Sequence, residues 1–244
     1  MSYLIYENHE YESFMSRAVS YGKNVIICGE TGSGKTTIAV NLACYLAKEG
    51  DRVTLIDADP QRSSEIFSNN RSDSELKPLF SNVNKIGSSL KDEITLQESK
   101  NDCVIIDTAG ADSKEMCIAM NKADLLIIPT IPSQYDVVVL DRMLEVFSLA
   151  KENNPKLHCL ILLNKISPNP FLSKEKAELK EFVESAIKEK QLEDVAVLET
   201  LIYERRAYKR AVIDGKSLDE FDDTKARDEF NALCAEIVAF GKTL

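Results

Sequence analysis

Residues 29–37 of this chain read Gly-Glu-Thr-Gly-Ser-Gly-Lys-Thr-Thr, and no other stretch limits the possible folds so severely. The string follows the apolar run 24–28 and opens a helical pattern over 36–48. A strand that ends in glycines and turns directly into a helix aims several backbone N–H groups at one point, and the positive end of the helix dipole adds to them. Such a point holds phosphate. Lys35 is placed to reach β- and γ-phosphates and the Thr36 hydroxyl to ligate Mg2+. Gly29, Glu30, Thr31, Gly32, Ser33, Gly34, Lys35, Thr36 and Thr37 are therefore the expected binding loop for a nucleoside triphosphate.

The rest of the chain alternates short apolar runs with amphipathic stretches. Strands are expected at 25–28, 53–56, 103–106, 125–128, 157–163 and 195–198, with a marginal one at 83–86. Their near-continuous hydrophobicity suits central strands of a parallel sheet covered on both faces. Helices are expected at 37–48, 135–151 and 173–190, and short ones between 60 and 100, where Ser, Asn and Asp weaken the pattern. Ala226, Phe230, Leu233, Ile237 and Phe240 form one apolar helical stripe, read as a packing face. The fold class is α/β: a single domain over 23–244 with a mostly parallel, twisted sheet and helices on both faces, preceded by a short leader at 1–22. With 244 residues, 44% of them hydrophobic, one such domain buries a sizeable core.

No apolar stretch approaches a membrane span, and the leader, with Glu7, Glu10 and Glu12, lacks a secretory pattern, so a cytoplasmic protein without membrane contact is expected. The six cysteines include no C-x-x-C pair, and Cys28, Cys103 and Cys159 fall in strand candidates, which reads as buried thiols. His9 and His158 stand far apart, which disfavours histidine catalysis or a histidine metal site. The net charge of -10 argues against a wholesale nucleic-acid coat. It leaves room for a local basic patch, and Arg205, Arg206, Lys209, Arg210 and Lys216 form one. Two readings stay open: a solvated helix face partnered by Glu204 and Asp214, or a surface for non-specific DNA.

Two further strings end in carboxylates. Val-Thr-Leu-Ile-Asp-Ala-Asp-Pro-Gln over 53–61 places Asp57 and Asp59 at the carboxyl end of the second strand. Cys-Val-Ile-Ile-Asp-Thr-Ala-Gly over 103–110 places Asp107 at the end of another, followed by a small flexible turn. Ligands of open parallel sheets sit at that edge, so Asp107 is expected to hold Mg2+ and the turn to approach the γ-phosphate.

These residues resemble the ParA/MinD family of deviant-Walker P-loop ATPases, in particular short ParA-type partition proteins without a DNA-reading domain at the N-terminus. The resemblance runs through Gly32-Ser-Gly-Lys-Thr-Thr, Asn41-Leu-Ala, Asp57-Ala-Asp-Pro-Gln, Asp107-Thr-Ala-Gly, the string Pro-Thr-Ile-Pro-Ser-Gln-Tyr-Asp at 129–136, Arg206-Ala-Tyr-Lys and Gly215-Lys-Ser-Leu. It implies that Asp59 positions the attacking water and that Asp57 is an outer ligand of Mg2+, a division that sequence leaves unsettled. Asn164 is similar in position to an adenine-contacting residue, or else caps a strand end. Asp136 caps the next helix or meets a partner subunit. The resemblance further implies slow, partner-stimulated ATP hydrolysis, an ATP-bound homodimer, non-specific DNA binding and a small DNA-binding adaptor, in the service of partitioning a plasmid or other mobile DNA. Two alternatives remain: a nucleotide-switched protein that positions a conjugation complex or other assembly, and a metabolic ligase of the dethiobiotin or cobyrinate type. One departure stands out. The family carries a Lys, reaching the neighbour's phosphates, where this chain has Glu30, which places the closed sandwich dimer in question.

Overall fold

The computed structural model describes residues 23–110, 113–169, 171 and 173–244. The expected leader at 1–22 and the side chain of Asp136 lie outside the described residues. In chain order the elements are β1 (Asn24–Ile27), α1 (Lys35–Lys48), β2 (Val53–Ala58), α2 (Ser63–Asp73), β3 (Ser81–Asn84), α3 (Leu90–Glu98), β4 (Cys103–Thr108) and α4 (Lys114–Met120). They continue as β5 (Leu125–Thr130), α5 (Gln134–Asn153), β6 (His158–Leu163), α6 (Ser173–Glu189), β7 (Val195–Val197), α7 (Arg206–Ile213) and α8 (Thr224–Gly241).

All seven strands pair in parallel, in the order β3-β2-β4-β1-β5-β6-β7. Parallel pairing needs a crossover between successive strands, and the helices supply it. The period of two along a strand then explains the continuous apolar runs. Val25, Ile27, Val53, Leu55, Cys103 and Ile105 pack with α1, α7 and α8 in one layer. Ile26, Cys28, Ile56, Val104 and Ile106 pack with α3, α4, α5 and α6 in the other. Both faces are covered, so both registers must be apolar.

The expected strands are present with ends shifted by a residue or two. The marginal strand lies at Ser81–Asn84, two residues before the expected 83–86. It forms the sheet edge beside β2 and is only half buried, which weakens its apolar signature. The stripe at 226–240 is a packing face: Ala226, Phe230, Leu233 and Ile237 are buried in the first layer.

Candidate nucleotide site

Register brings the three strand-end motifs together. Ile27 pairs with Asp107 across β1 and β4, and Asp57 pairs with Asp107 across β4 and β2. Adjacent strands lie about 4.8 Å apart, so loop and carboxylates occupy one short arc of the sheet edge. Asp57 and Asp107 also continue the alternation of Leu55 and Ile105, which face α1. The first turn of α1 carries Thr36, and its hydroxyl donates to Asp107 Oδ2 at 2.6 Å.

The start of α1 is built to receive an anion. Its N-cap is Gly34, with no side-chain cap and no acidic residue in the first turn. Side-chain caps are present at α4 and α8, from Ser113 and Asp223, and absent at α2, α3 and α7. Among these uncapped starts α1 is the one that opens on a glycine at the end of a Gly-rich loop. Uncapped N–H groups at a helix start are donors awaiting a ligand. Gly34 has φ 101°, and a Cβ there would lie 2.6 Å from Asn164 Nδ2, so glycine is required twice over. Lys35 is only 8% exposed, and its Nζ donates to the Glu30 carbonyl at 3.1 Å, inside the loop.

Asp107 is fully buried, and its Oδ1 has no hydrogen-bond partner among the described residues. Burial pushes its carboxyl up to about 7; the Thr36 hydrogen bond opposes this and nearby Asp57 adds to it. A buried carboxylate with one oxygen on a threonine hydroxyl and the other unpaired fits a divalent cation, which would restore its charge. Asp57 is different. It accepts from the Asp59 N–H at 3.0 Å and from the Ser64 N–H and Oγ at 3.0 and 2.6 Å, so its oxygens already have partners. Asp59 is half exposed at the same edge, accepting from the Gln61 N–H at 2.8 Å.

Beyond Gly34 a cavity of about 340 Å3 opens, walled by Thr37, Ile38, Asn164, Ile202, Tyr203 and Glu204 among others. Asn164 is buried, and its Nδ2 donates to the Ser33 carbonyl at 2.6 Å. It therefore braces the loop from the cavity side.

The basic cluster is not one surface. Arg205 donates through Nε at 3.0 Å and Nη2 at 2.8 Å to a single oxygen, Oε2, of Glu229 in α8, and lies over the Tyr203 ring. The sequence named Glu204 and Asp214 as partners; the one found for Arg205 is Glu229, 24 residues away. Arg206, Lys209 and Arg210 lie exposed on one face of α7, and Arg206 and Lys209 reach the cavity rim. Lys216 sits in the next loop, half buried. Sequence reasoning missed Ser64, which fixes Asp57, and Lys165, which lines the cavity. Adjacency to Asn164 was the available signal for Lys165.

A parallel-sheet domain whose first loop and helix start form a phosphate cradle over buried carboxylates is a nucleotide-binding domain. This chain belongs to the CobQ/CobB/MinD/ParA nucleotide binding domain family, whose sequence profile matches residues 25–218. It is similar to the maintenance of carboxysome distribution protein A of Halothiobacillus neapolitanus, at 28% identity over 213 residues, 85% of this chain and 92% of that protein. It is likewise similar to protein ParA of Rhizobium radiobacter, at 28% identity over 186 residues, 75% of this chain and 79% of that protein. The septum site-determining protein MinD of Pyrococcus horikoshii, solved as a complex with Mg-ADP, shares the fold with a TM-score of 0.66 at 17% identity, over 91% of this chain and 98% of that one. Among the described residues no helix is long and apolar enough to cross a membrane.

Proposed function

We propose that this chain is an ATPase that distributes or positions a cargo, hydrolysing ATP slowly and using the nucleotide state to control dimerisation and DNA binding. The observation that carries the reading is the uncapped start of α1 set over the Thr36–Asp107 pair. Residues 29–37 would bind the triphosphate, with Lys35 against the β- and γ-phosphates. Thr36 and Asp107 would hold Mg2+, which supplies neutralising charge at the phosphates. Asp57, held by Ser64, would add negative potential to that side of the site. Asp59 would position the attacking water, and Asn164 would fix the loop beside the base. A homodimer, non-specific DNA and a small DNA-binding adaptor are the proposed partners, and the cytoplasm the proposed location.

Two cargoes are supported by different relatives. ParA similarity supports a plasmid or other mobile DNA; similarity to the carboxysome distribution protein, over more of both chains, supports a protein assembly. For the DNA binding proposed here, the exposed Arg206, Lys209 and Arg210 face of α7 is the candidate surface. The metabolic ligase reading ranks last, because it needs a second substrate clamp that no motif in this chain supplies.

The test measures ATP consumption with and without duplex DNA, and DNA retention with ATP or ADP across a salt series. ATP-dependent retention that falls steeply with salt is expected, as counterion release demands. Replacing Arg206 and Arg210 together by Ala should weaken binding to every sequence about equally and lower the salt slope by about 2. Unchanged retention in the double variant removes α7 as the DNA face, and absence of ATP turnover under all conditions removes the ATPase reading.

A further inference from the structure

Strand β6 runs directly into Asn164 and Lys165, and these consecutive residues grip consecutive carbonyls of the phosphate loop. Asn164 Nδ2 donates to the Ser33 carbonyl at 2.6 Å, and Lys165 Nζ donates to the Gly32 carbonyl at 2.5 Å. Lys165 does so from a left-handed backbone, φ 51°, which a residue carrying a Cβ adopts only at some cost. Its neighbours hold it there. The Ile166 N–H donates to the Ile202 carbonyl at 3.0 Å, and the Glu204 N–H donates back to the Ile166 carbonyl at 2.9 Å. The strained residue is thus pinned between the phosphate loop and the segment that walls the cavity. Backbone strain maintained by its surroundings beside a ligand site is a pointer to a role in that site.

The geometry says what the role is. In a trans peptide the C=O and N–H point in opposite directions. Holding the carbonyls of Gly32 and Ser33 toward β6 turns the N–H groups of Ser33 and Gly34 away from it, into the loop. The Ser33 N–H does lie there, 3.1 Å from the Glu30 carbonyl that also receives Lys35 Nζ. We propose that Lys165 is a positioning residue for triphosphate binding: its ammonium fixes the Gly32 carbonyl outward, so that the loop's amides face the phosphate chain before any ligand arrives. The inference rests on the nucleotide-binding reading above and adds a residue to it. Because Lys165 acts on loop backbone, its effect belongs to the phosphates and is indifferent to the base.

The experiment titrates the full chain calorimetrically with Mg-ATP and, separately, with inorganic tripolyphosphate and Mg2+, for the unaltered protein and for Lys165→Gly, Lys165→Met and Lys165→Arg. Loss of one charge-assisted hydrogen bond should weaken both ligands by the same factor, on the order of tenfold, in the Gly and Met variants. Arg, which retains a charged donor, should recover most of the affinity. The melting point of Lys165→Gly should change little, since relief of the left-handed backbone offsets the lost hydrogen bond and the freer unfolded chain. Weaker ATP binding with unchanged tripolyphosphate binding would overturn the proposal in favour of a contact to the nucleoside. Unchanged affinity for both would overturn it as well. An unaltered chain that binds neither ligand refutes the nucleotide reading itself, and this inference with it.

Discussion

At the scale of single residues, the proposed site divides groups that would hold a ligand from groups that would act on it. Lys35 is almost enclosed, and its ammonium donates to the Glu30 carbonyl inside the loop. Lys35→Ala leaves the buried end of a phosphate chain without its cation, so ATP affinity should fall by about 100-fold or more in an equilibrium titration. Asp59 is half exposed, and no residue of the loop bonds to it. Asp59→Ala should keep ATP while turnover drops about 100- to 10,000-fold, the range for losing a positioned base. An Asp59→Ala chain that loses ATP as badly as Lys35→Ala reverses these assignments. The residues legible in the sequence were those whose chemistry is local: nine contiguous residues make the loop, and Asp57 and Asp107 announce themselves by ending apolar runs. Adjacency to Asn164 pointed to Lys165, but its contact was not legible, because Gly32 lies 133 positions away and only the sheet order brings them together. Ser64 escaped for a related reason: seven residues after Asp57, it returns to that carboxylate only because α2 begins where it does.

Among elements, the central strands were legible because burial on both faces leaves no polar alternation to mislead, whereas the edge strand β3 was displaced in the reading because half of it meets solvent. Helix α2 has little apolar signal, with Phe67 its one buried apolar side chain, and it is anchored instead by polar contacts. Its Arg71 is buried, bonds the Gly215 carbonyl at 2.9 Å and makes a bidentate pair with Glu220 at 2.8 and 2.9 Å. This knot accounts for part of the family string Gly215-Lys-Ser-Leu in structural terms, and the Leu218 N–H bonding Asn41 Oδ1 at 3.2 Å accounts for another part. Gly215 has φ 64°, and a Cβ there would lie 2.3 Å from the Arg71 backbone nitrogen. Gly215→Ala should therefore cost about 2–4 kcal/mol, read as a lower urea midpoint, because backbone strain and overlap with rigid main chain combine. The same knot sets a pH window. The Arg71 guanidinium holds Glu220 down at about 2 against an ordinary 4.5. A depressed carboxylate stabilises fully above its unfolded value and loses that contribution as pH falls through its folded one, here between about 4.5 and 2. Glu220 is partly open to water, so the screened contribution is about 1–2 kcal/mol. Glu220→Gln should be less stable at pH 7, and its stability should fall less than that of the unaltered chain from pH 4.5 to 2 in paired urea titrations.

For the whole molecule, the sheet order gathers the loop, both carboxylates and the cavity on one edge, and in the proposed ATP-bound dimer that edge would face the second copy. Glu30 stands there, half buried, and its carboxylate has no ion pair among the described residues. In a sandwich dimer a Lys at this position would meet the partner's phosphates, and a Glu turns that attraction into repulsion. At an effective dielectric of about 20 and a separation of ~8 Å, one unit-charge pair is worth roughly 2 kcal/mol, so reversing the sign costs a few kcal/mol per site. That is enough to weaken a dimer more than a hundredfold. Lys165 does not simply substitute for the missing lysine, since its ammonium is engaged by Gly32 within its own chain. The expected result is an ATP-bound dimer that is loose in the unaltered chain and tightens in Glu30→Lys. Light scattering with a non-hydrolysable ATP analogue and Mg2+ over a protein concentration series reads this directly, and the gain should shrink as salt rises, because exposed charges are screened over about 8–10 Å. A tight ATP-dependent dimer in the unaltered chain, unimproved by Glu30→Lys, would mean that a different cation faces Glu30 across the interface or that the two copies meet by another surface.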